Sequence, residues 1–280
     1  MKPPTSKAPV VVGIDGSQAA IDAARWAAAE ALARGVPLRL VHVIEVEDDV
    51  DLEFDEDPAE MARDWPETER GRVSLRAASA AAQGTGKPLT IETEILCGEV
   101  YSTLIDESKH ATMLCVGAVG IVPVCHHLLG STAATLAEHA HGPLAVVRSP
   151  HSTPTSEPDW IITVVDDSAQ SDAVVDYALD EAHLRHAPLL ALAVPRRGHR
   201  EVPYDELDRR VATWRHDHPD LRIDPASIPT DIATFLARHD EMSVQLVVVG
   251  AVDADQAAAI IGSDRPGRQT PSRPSVLVVR

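Results

Sequence analysis

Apolar and polar positions fall along the chain in blocks of two kinds. In the first half, short β-branched apolar runs bounded by turn residues lie near 9–14, 38–43, 89–96, 112–117 and 144–148 and predict strands. Between them, apolar residues recur at spacings of three and four near 18–34, 67–83, 99–109 and 131–140 and predict helices. Such alternation predicts an α/β fold, a parallel sheet with helices on both faces. The Ala-rich helix 18–34 suits close packing on that sheet. Residues 45–66 break the pattern. Glu47, Asp48, Asp49, Asp51, Glu53, Asp55, Glu56 and Asp57 crowd together there, and the stretch predicts a solvated loop.

The second half repeats the first. Val11-Val-Gly-Ile-Asp15-Gly-Ser17 aligns with Ile162-Thr-Val-Val-Asp166-Asp-Ser168. The same ungapped offset of 151 aligns Trp26-Ala27 with Tyr177-Ala178, Glu30-Ala31 with Glu181-Ala182, Arg34 with Arg185 and Pro37-Leu38 with Pro188-Leu189. The closing segments agree too, Ala145-Val-Val-Arg148 with Leu277-Val-Val-Arg280. A repeat of this size is a duplicated domain, since solenoid repeats are only about 20–50 residues long. Ser149–Pro158, rich in Pro and Ser, reads as the linker. The expected domains are therefore 1–150 and 159–280, the second shorter than the first.

Composition narrows the function. A length of 280 residues accommodates two domains, and 44% hydrophobic residues with only 3% aromatics imply aliphatic cores. A formal net charge of -18 argues against nucleic-acid or membrane-surface binding, because phosphate groups are repelled. Three cysteines, Cys97, Cys115 and Cys125, form no metal-ligand spacing. Cys97 and Cys115 read as small buried hydrophobes, which fits a reducing cytoplasm. No apolar stretch reaches the length of a membrane span, and the N-terminal residues lack a signal-peptide pattern.

The candidate chemistry sits after the fourth strand. Gly117-Ala118-Val119-Gly120 is followed by nine residues and then Gly130-Ser131-Thr132, which opens the helix 131–140. A Gly-rich turn between strand and helix lets the backbone approach a phosphate. Open amides at the helix start then face the anion, with the helix dipole adding to the attraction. The Ser131 and Thr132 hydroxyls can donate to the same oxygens. The plain alternatives are a tight turn at Gly117 and Gly120 and a helix-start glycine at Gly130. His126 and His127 fall within the nine-residue stretch. They are candidates for the phosphate tail or ordinary loop histidines. Walker, Rossmann Gly-x-Gly-x-x-Gly, nucleophile-elbow and zinc motifs are all lacking.

The glycine pattern, together with Val12-Gly-Ile-Asp-Gly-Ser17, resembles the universal stress protein family, and the repeat resembles its tandem form. The resemblance covers nearly all of 8–148 and, more weakly, 159–280. It implies five-stranded parallel domains of strand order 3-2-1-4-5, ATP as ligand and a role in stress response. In that order the connections reverse between strands 1 and 4, where open α/β sheets bind ligands. Gly13, Asp15 and Ser17 at the end of strand 1 then share one crevice with Gly117. Asp15 is placed by the resemblance near adenine and ribose, with Mg²⁺ as a further candidate ligand; as a residue by itself it is equally a helix N-cap. Val41 and Val43 would wall the base. The nine-residue stretch carries no Arg, where the family often has one.

The second half is expected to be degenerate. Asp167 replaces Gly16, and Gly250-Ala-Val-Asp253 puts a carboxylate where backbone would meet phosphate, with a gap of eight residues to Gly262-Ser263. One ATP per chain follows. The machinery of fast phosphoryl transfer is not evident, so the expectation is an ATP-binding regulatory protein with little turnover. Slow ATP hydrolysis or nucleotide transfer, and a nucleotide-free scaffold, are the alternatives. Homodimerisation through strand edges, at Leu144–Val147 and Val276–Val279, and an unidentified protein partner complete the expectations; core packing is the competing reading of those strands.

Overall fold

The computed structural model describes residues 7–45, 66–84, 86–119, 130–149, 159–194, 202–239, 241–262 and 274–280, in two compact units. In the first unit the elements run β1 (Val10–Gly13), α1 (Gln18–Arg34), β2 (Leu38–Ile44), α2 (Pro66–Gln83), β3 (Ile91–Cys97), α3 (Val100–Ser108), β4 (Met113–Gly117), α4 (Ser131–His139) and β5 (Leu144–Val147). Every strand pair is parallel and the order is β3-β2-β1-β4-β5. The acidic stretch expected to be a loop lies, but for Glu45 and Pro66, outside the described residues.

The strands are continuous apolar runs because both faces are covered. Helices α1 and α2 pack together on one face and α3 and α4 on the other. Val10, Val12, Leu38, Leu40, Met113, Leu114 and Leu144 are all 0% exposed. Each such side chain contributes about 1.5–3 kcal/mol on leaving water. Helix α1 turns a stripe of Ala23, Ala24, Ala27, Ala28 and Ala31 inward, all completely buried. Methyl side chains let its axis come close to the sheet, and that closeness matters at Gly117.

The second unit comprises β6 (Trp160–Val165), α5 (Ser171–Arg185), β7 (Leu189–Ala193), α6 (Tyr204–Asp217), β8 (Ile223–Ser227), α7 (Ile232–Arg238), β9 (Val244–Gly250), α8 (Ala254–Gly262) and β10 (Ser275–Val279). Its strands are again parallel, in the order β8-β7-β6-β9-β10, which is the same topology.

The repeat read from sequence has structural counterparts. Glu30, 1% exposed, pairs with Arg34 at 3.3 Å, and Glu181, 0% exposed, pairs with Arg185 at 2.8 Å. Both helices end on a residue in the left-handed region, Gly35 (φ 62) and His186 (φ 51), whose amides turn back onto the last-turn carbonyls. Among the described residues no helix is long and apolar enough to cross a membrane.

Candidate functional site

The switch point of the first unit lies at the carboxyl ends of β1 and β4. Beyond β1, the Ile14 amide donates to the Val41 carbonyl at 2.8 Å, and the Ile14 carbonyl accepts from Nδ1 of His42 at 2.6 Å. A carbonyl can only accept, so the proton of the ring sits on Nδ1. The chain then bends through Gly16 in the left-handed region (φ 93). The Ser17 amide donates to Oδ1 of Asp15 at 2.9 Å, and Oγ of Ser17 accepts from the Ala20 amide at 3.1 Å. Ser17 is therefore the N-cap of α1, and the N-cap alternative for Asp15 is overturned. Asp15 braces the turn instead, exposed, and among the described residues its Oδ2 has no partner.

Gly117, at the end of β4, faces the first turn of α1. A Cβ there would lie 2.8 Å from the carbonyl carbon of Ala19 and 2.9 Å from the Ala20 nitrogen. Backbone cannot yield as a flexible side chain does, so the glycine is required by helix–strand approach. Gly13 is tight as well, with Leu104 Cδ1 at 3.3 Å from a Cβ position. Ala118, 1% exposed, donates its amide to Val147 at 2.8 Å and accepts from the Gly130 amide at 2.9 Å. That second bond pins the start of α4 beside the end of β4. Oγ of Ser17 reaches the Val119 carbonyl at 3.5 Å, at the outer limit of a hydrogen bond. The β1 and β4 turns thus meet.

Gly130 is the N-cap of α4 and has no side chain to cap with. The amides of Ser131, Thr132 and Ala133 lack intrahelical acceptors, as the first amides of any helix do. Among the described residues none of the three finds another partner. Ser131 is exposed, Thr132 half-buried, and the Tyr101 hydroxyl donates to Oγ of Ser131 at 3.2 Å. Val41 is 0% exposed, so its side chain is covered by protein; Val43 is half-buried. Gly120, His126 and His127 lie outside the described residues.

Two residues at this end went unnoticed in the sequence. Tyr101 and His42 are placed by topology, the first opening α3 just after β3 and the second near the end of β2. The only signal for either was position at the carboxyl end of a strand, which spacing does not single out.

The matching end of the second unit differs. The Ser168 amide donates to Oδ1 of Asp166 at 2.9 Å, repeating the Asp15 turn. Here, however, Asp166 is 6% exposed, and the Arg210 guanidinium bridges its carbonyl (3.2 Å) to the Asp172 carboxylate (2.8 Å) while lying over Trp214. After β9 the chain enters a 3-10 turn, Ala251–Asp253, and runs straight into α8. Gly262, matched by sequence to the start of a helix, instead lies within α8. Asp253 is 4% exposed and accepts from Nε2 of Gln256 at 3.1 Å. A Cβ on Gly250 would meet Val174 only at 3.5 Å, an ordinary contact. Among the described residues no cluster of three or more His, Cys, Asp or Glu is placed to hold a metal.

Comparison with known proteins agrees with this architecture. Residues 8–148 match the model of the universal stress protein family. A universal stress protein of Mycobacterium tuberculosis H37Rv is 44% identical over 277 residues, 99% of this chain and 97% of its own. Another from the same strain is 37% identical over 281 residues, covering 95% and 96%. Among solved structures, a universal stress protein from Archaeoglobus fulgidus superposes with a TM-score of 0.65 over 97% of this chain and 96% of its own, at 15% identity. A Pseudomonas aeruginosa PAO1 protein of unknown function gives 0.56 over 98% and 92%, at 14% identity. At those identities the superpositions speak to the fold, which they share, while the curated relatives speak to descent: the chain belongs to the universal stress protein family.

Proposed function

We propose that the first unit binds ATP, with Mg²⁺ as its companion, and that the chain is a stress-response regulator that turns ATP over little or not at all. The observation that carries this reading is the start of α4. Three amides without a partner among the described residues, a capless Gly130 and the Ser131 hydroxyl form an anion-attracting end, pinned by the Gly130–Ala118 bond beside the β1 turn. Asp15 supplies a carboxylate whose Oδ2 has no partner among the described residues, able to accept from ribose hydroxyls or to take one place around a hydrated Mg²⁺. His42 and Tyr101 flank the same end. In the second unit Arg210 and the helix α8 stand where the corresponding groups would be open, so the reading assigns one nucleotide per chain.

Occupancy stabilises whichever conformation binds, and a partner that reads that conformation receives the signal. Homodimerisation through strand edges belongs to the same reading. The test is direct. Purified protein is denatured and any released nucleotide identified by chromatography; calorimetry with ATP and Mg²⁺ follows. Binding at one site per chain, lost in Asp15→Asn combined with Ser131→Ala, is expected, with no steady release of phosphate. No released nucleotide, no heat and no thermal shift would leave the scaffold reading in its place.

A further inference from the structure

The outer edge of the first unit carries a second feature, distant in role from the switch point. The Leu38 amide donates to the Thr90 carbonyl at 2.9 Å, and the Gly98 amide donates to the Ile44 carbonyl at 3.0 Å. With parallel pairing in between, these bonds turn the main-chain groups of Glu92, Glu94 and Leu96 toward β2. Those of Ile91, Thr93 and Ile95 point the other way, and among the described residues they meet no partner.

Alongside them runs a groove of about 540 Å³ between β3 and one face of α2. Leu75, Ala80 and Ile95 give it an apolar floor; Arg72 and Arg76 stand over it. Arg76 is exposed and has no ion pair or hydrogen bond among the described residues, while Arg72 contacts Glu69. Among the described residues, the one acidic residue lining the groove, Glu94, is held by Arg39 at 2.6 Å.

Natural edge strands are usually blunted. The corresponding strand of the second unit is: in β8 the Leu189 amide donates to the Arg222 carbonyl and the Ile228 amide to the Ala193 carbonyl. That register points Pro225 outward, where it offers no N–H. β3 has Thr93 and Ile95 at outward positions and no proline.

We propose that this groove captures an extended acidic segment of another protein, which adds to β3 as a further strand. The spacing matches. Arg72 and Arg76 are one turn apart, about 6 Å along α2, and alternate residues of a strand are about 6.6 Å apart. A segment with acidic side chains at alternate positions therefore sets one against each arginine while its backbone bonds to Thr93 and Ile95. On a chain of net charge -18 the exposed Arg76, without an ion pair among the described residues, is a local exception, and it selects an acidic partner by charge as the open edge selects an extended one.

The test uses the full chain and a fluorescent peptide alternating glutamate and valine, read by anisotropy. Two further peptides carry N-methyl groups on one or the other alternate set of amides. Binding is expected to fall about tenfold or more in Arg76→Glu, an exposed position that leaves the core untouched. It should also vanish for one methylated peptide and persist for the other, since only one set of amides faces β3. Absence of binding, indifference to Arg76→Glu, or equal response to both methylated peptides overturns the proposal. An Arg76-dependent dimer that excludes the peptide in sedimentation would overturn it too, making a second copy the occupant.

Discussion

Gly117 shows how one residue can carry two readings. Its place in a phosphate-type spacing drew it into the candidate site, yet the contact that demands a missing Cβ is with the backbone of Ala19 and Ala20. Gly117→Ala must push α1 off β4, and overpacking of this sort costs about 1–3 kcal/mol. Gly250, its counterpart, has Val174 at 3.5 Å and an ordinary φ of -76, so Gly250→Ala should stay within about 0.5 kcal/mol of the parent. Urea unfolding of both variants measures the difference; equal midpoints would mean that α1 does not press on β4 as described. The consequence for function is practical. Loss of nucleotide by Gly117→Ala would report a displaced helix, whereas Asp15 and Ser131 are exposed and can be changed without touching the core.

At the scale of elements, much was legible. The strands and helices of the first unit fall within a few residues of their expected positions, because buried parallel strands are apolar throughout and helices carry the three-and-four spacing. The sequence repeat likewise aligned Glu30 with Glu181 and Arg34 with Arg185, which the structure joins in the buried pairs Glu30–Arg34 and Glu181–Arg185. What spacing could not reveal was that Gly262 lies within α8 while Gly130 precedes a helix, since the path of the chain before each glycine decides its place. Nor could it find His42, whose role comes from the Ile14 carbonyl just beyond β1. Helix ends also carry a pH dependence with a clear sign. The Thr234 amide donates to Oδ1 of Asp231 at 2.8 Å and caps α7, holding that carboxyl below its ordinary value. A depressed folded pKa gives stability that is present above the unfolded value, about 3.9, and lost as pH falls through the folded one. Asp231→Ala should therefore cost about 1 kcal/mol near neutral pH and progressively less in acid below the usual carboxylate range. Urea midpoints of parent and variant across that range test it; a gap that widens in acid would contradict the capping bond.

The whole molecule sets a constraint that no single residue does. With -18 formal charges, the long-range field of the chain opposes the approach of a polyphosphate to the anion site proposed at the start of α4, where attraction acts at short range. The two effects have different reach. Fields between separated, solvent-exposed charges are screened beyond about 8 Å at physiological ionic strength, while amides in contact with phosphate are screened far less. On the proposed function, added salt should therefore remove more repulsion than attraction, so association of ATP with the intact chain should quicken as ionic strength rises from low to physiological, with dissociation changing little. Mg²⁺ acts in the same direction, by reducing the charge that must be brought in. Stopped-flow measurements at constant Mg²⁺ and increasing salt can separate the two rates. Association that slowed steeply with salt would mean that a local cationic patch, not main-chain amides, governs the encounter, and the start of α4 would lose its standing as the anion site.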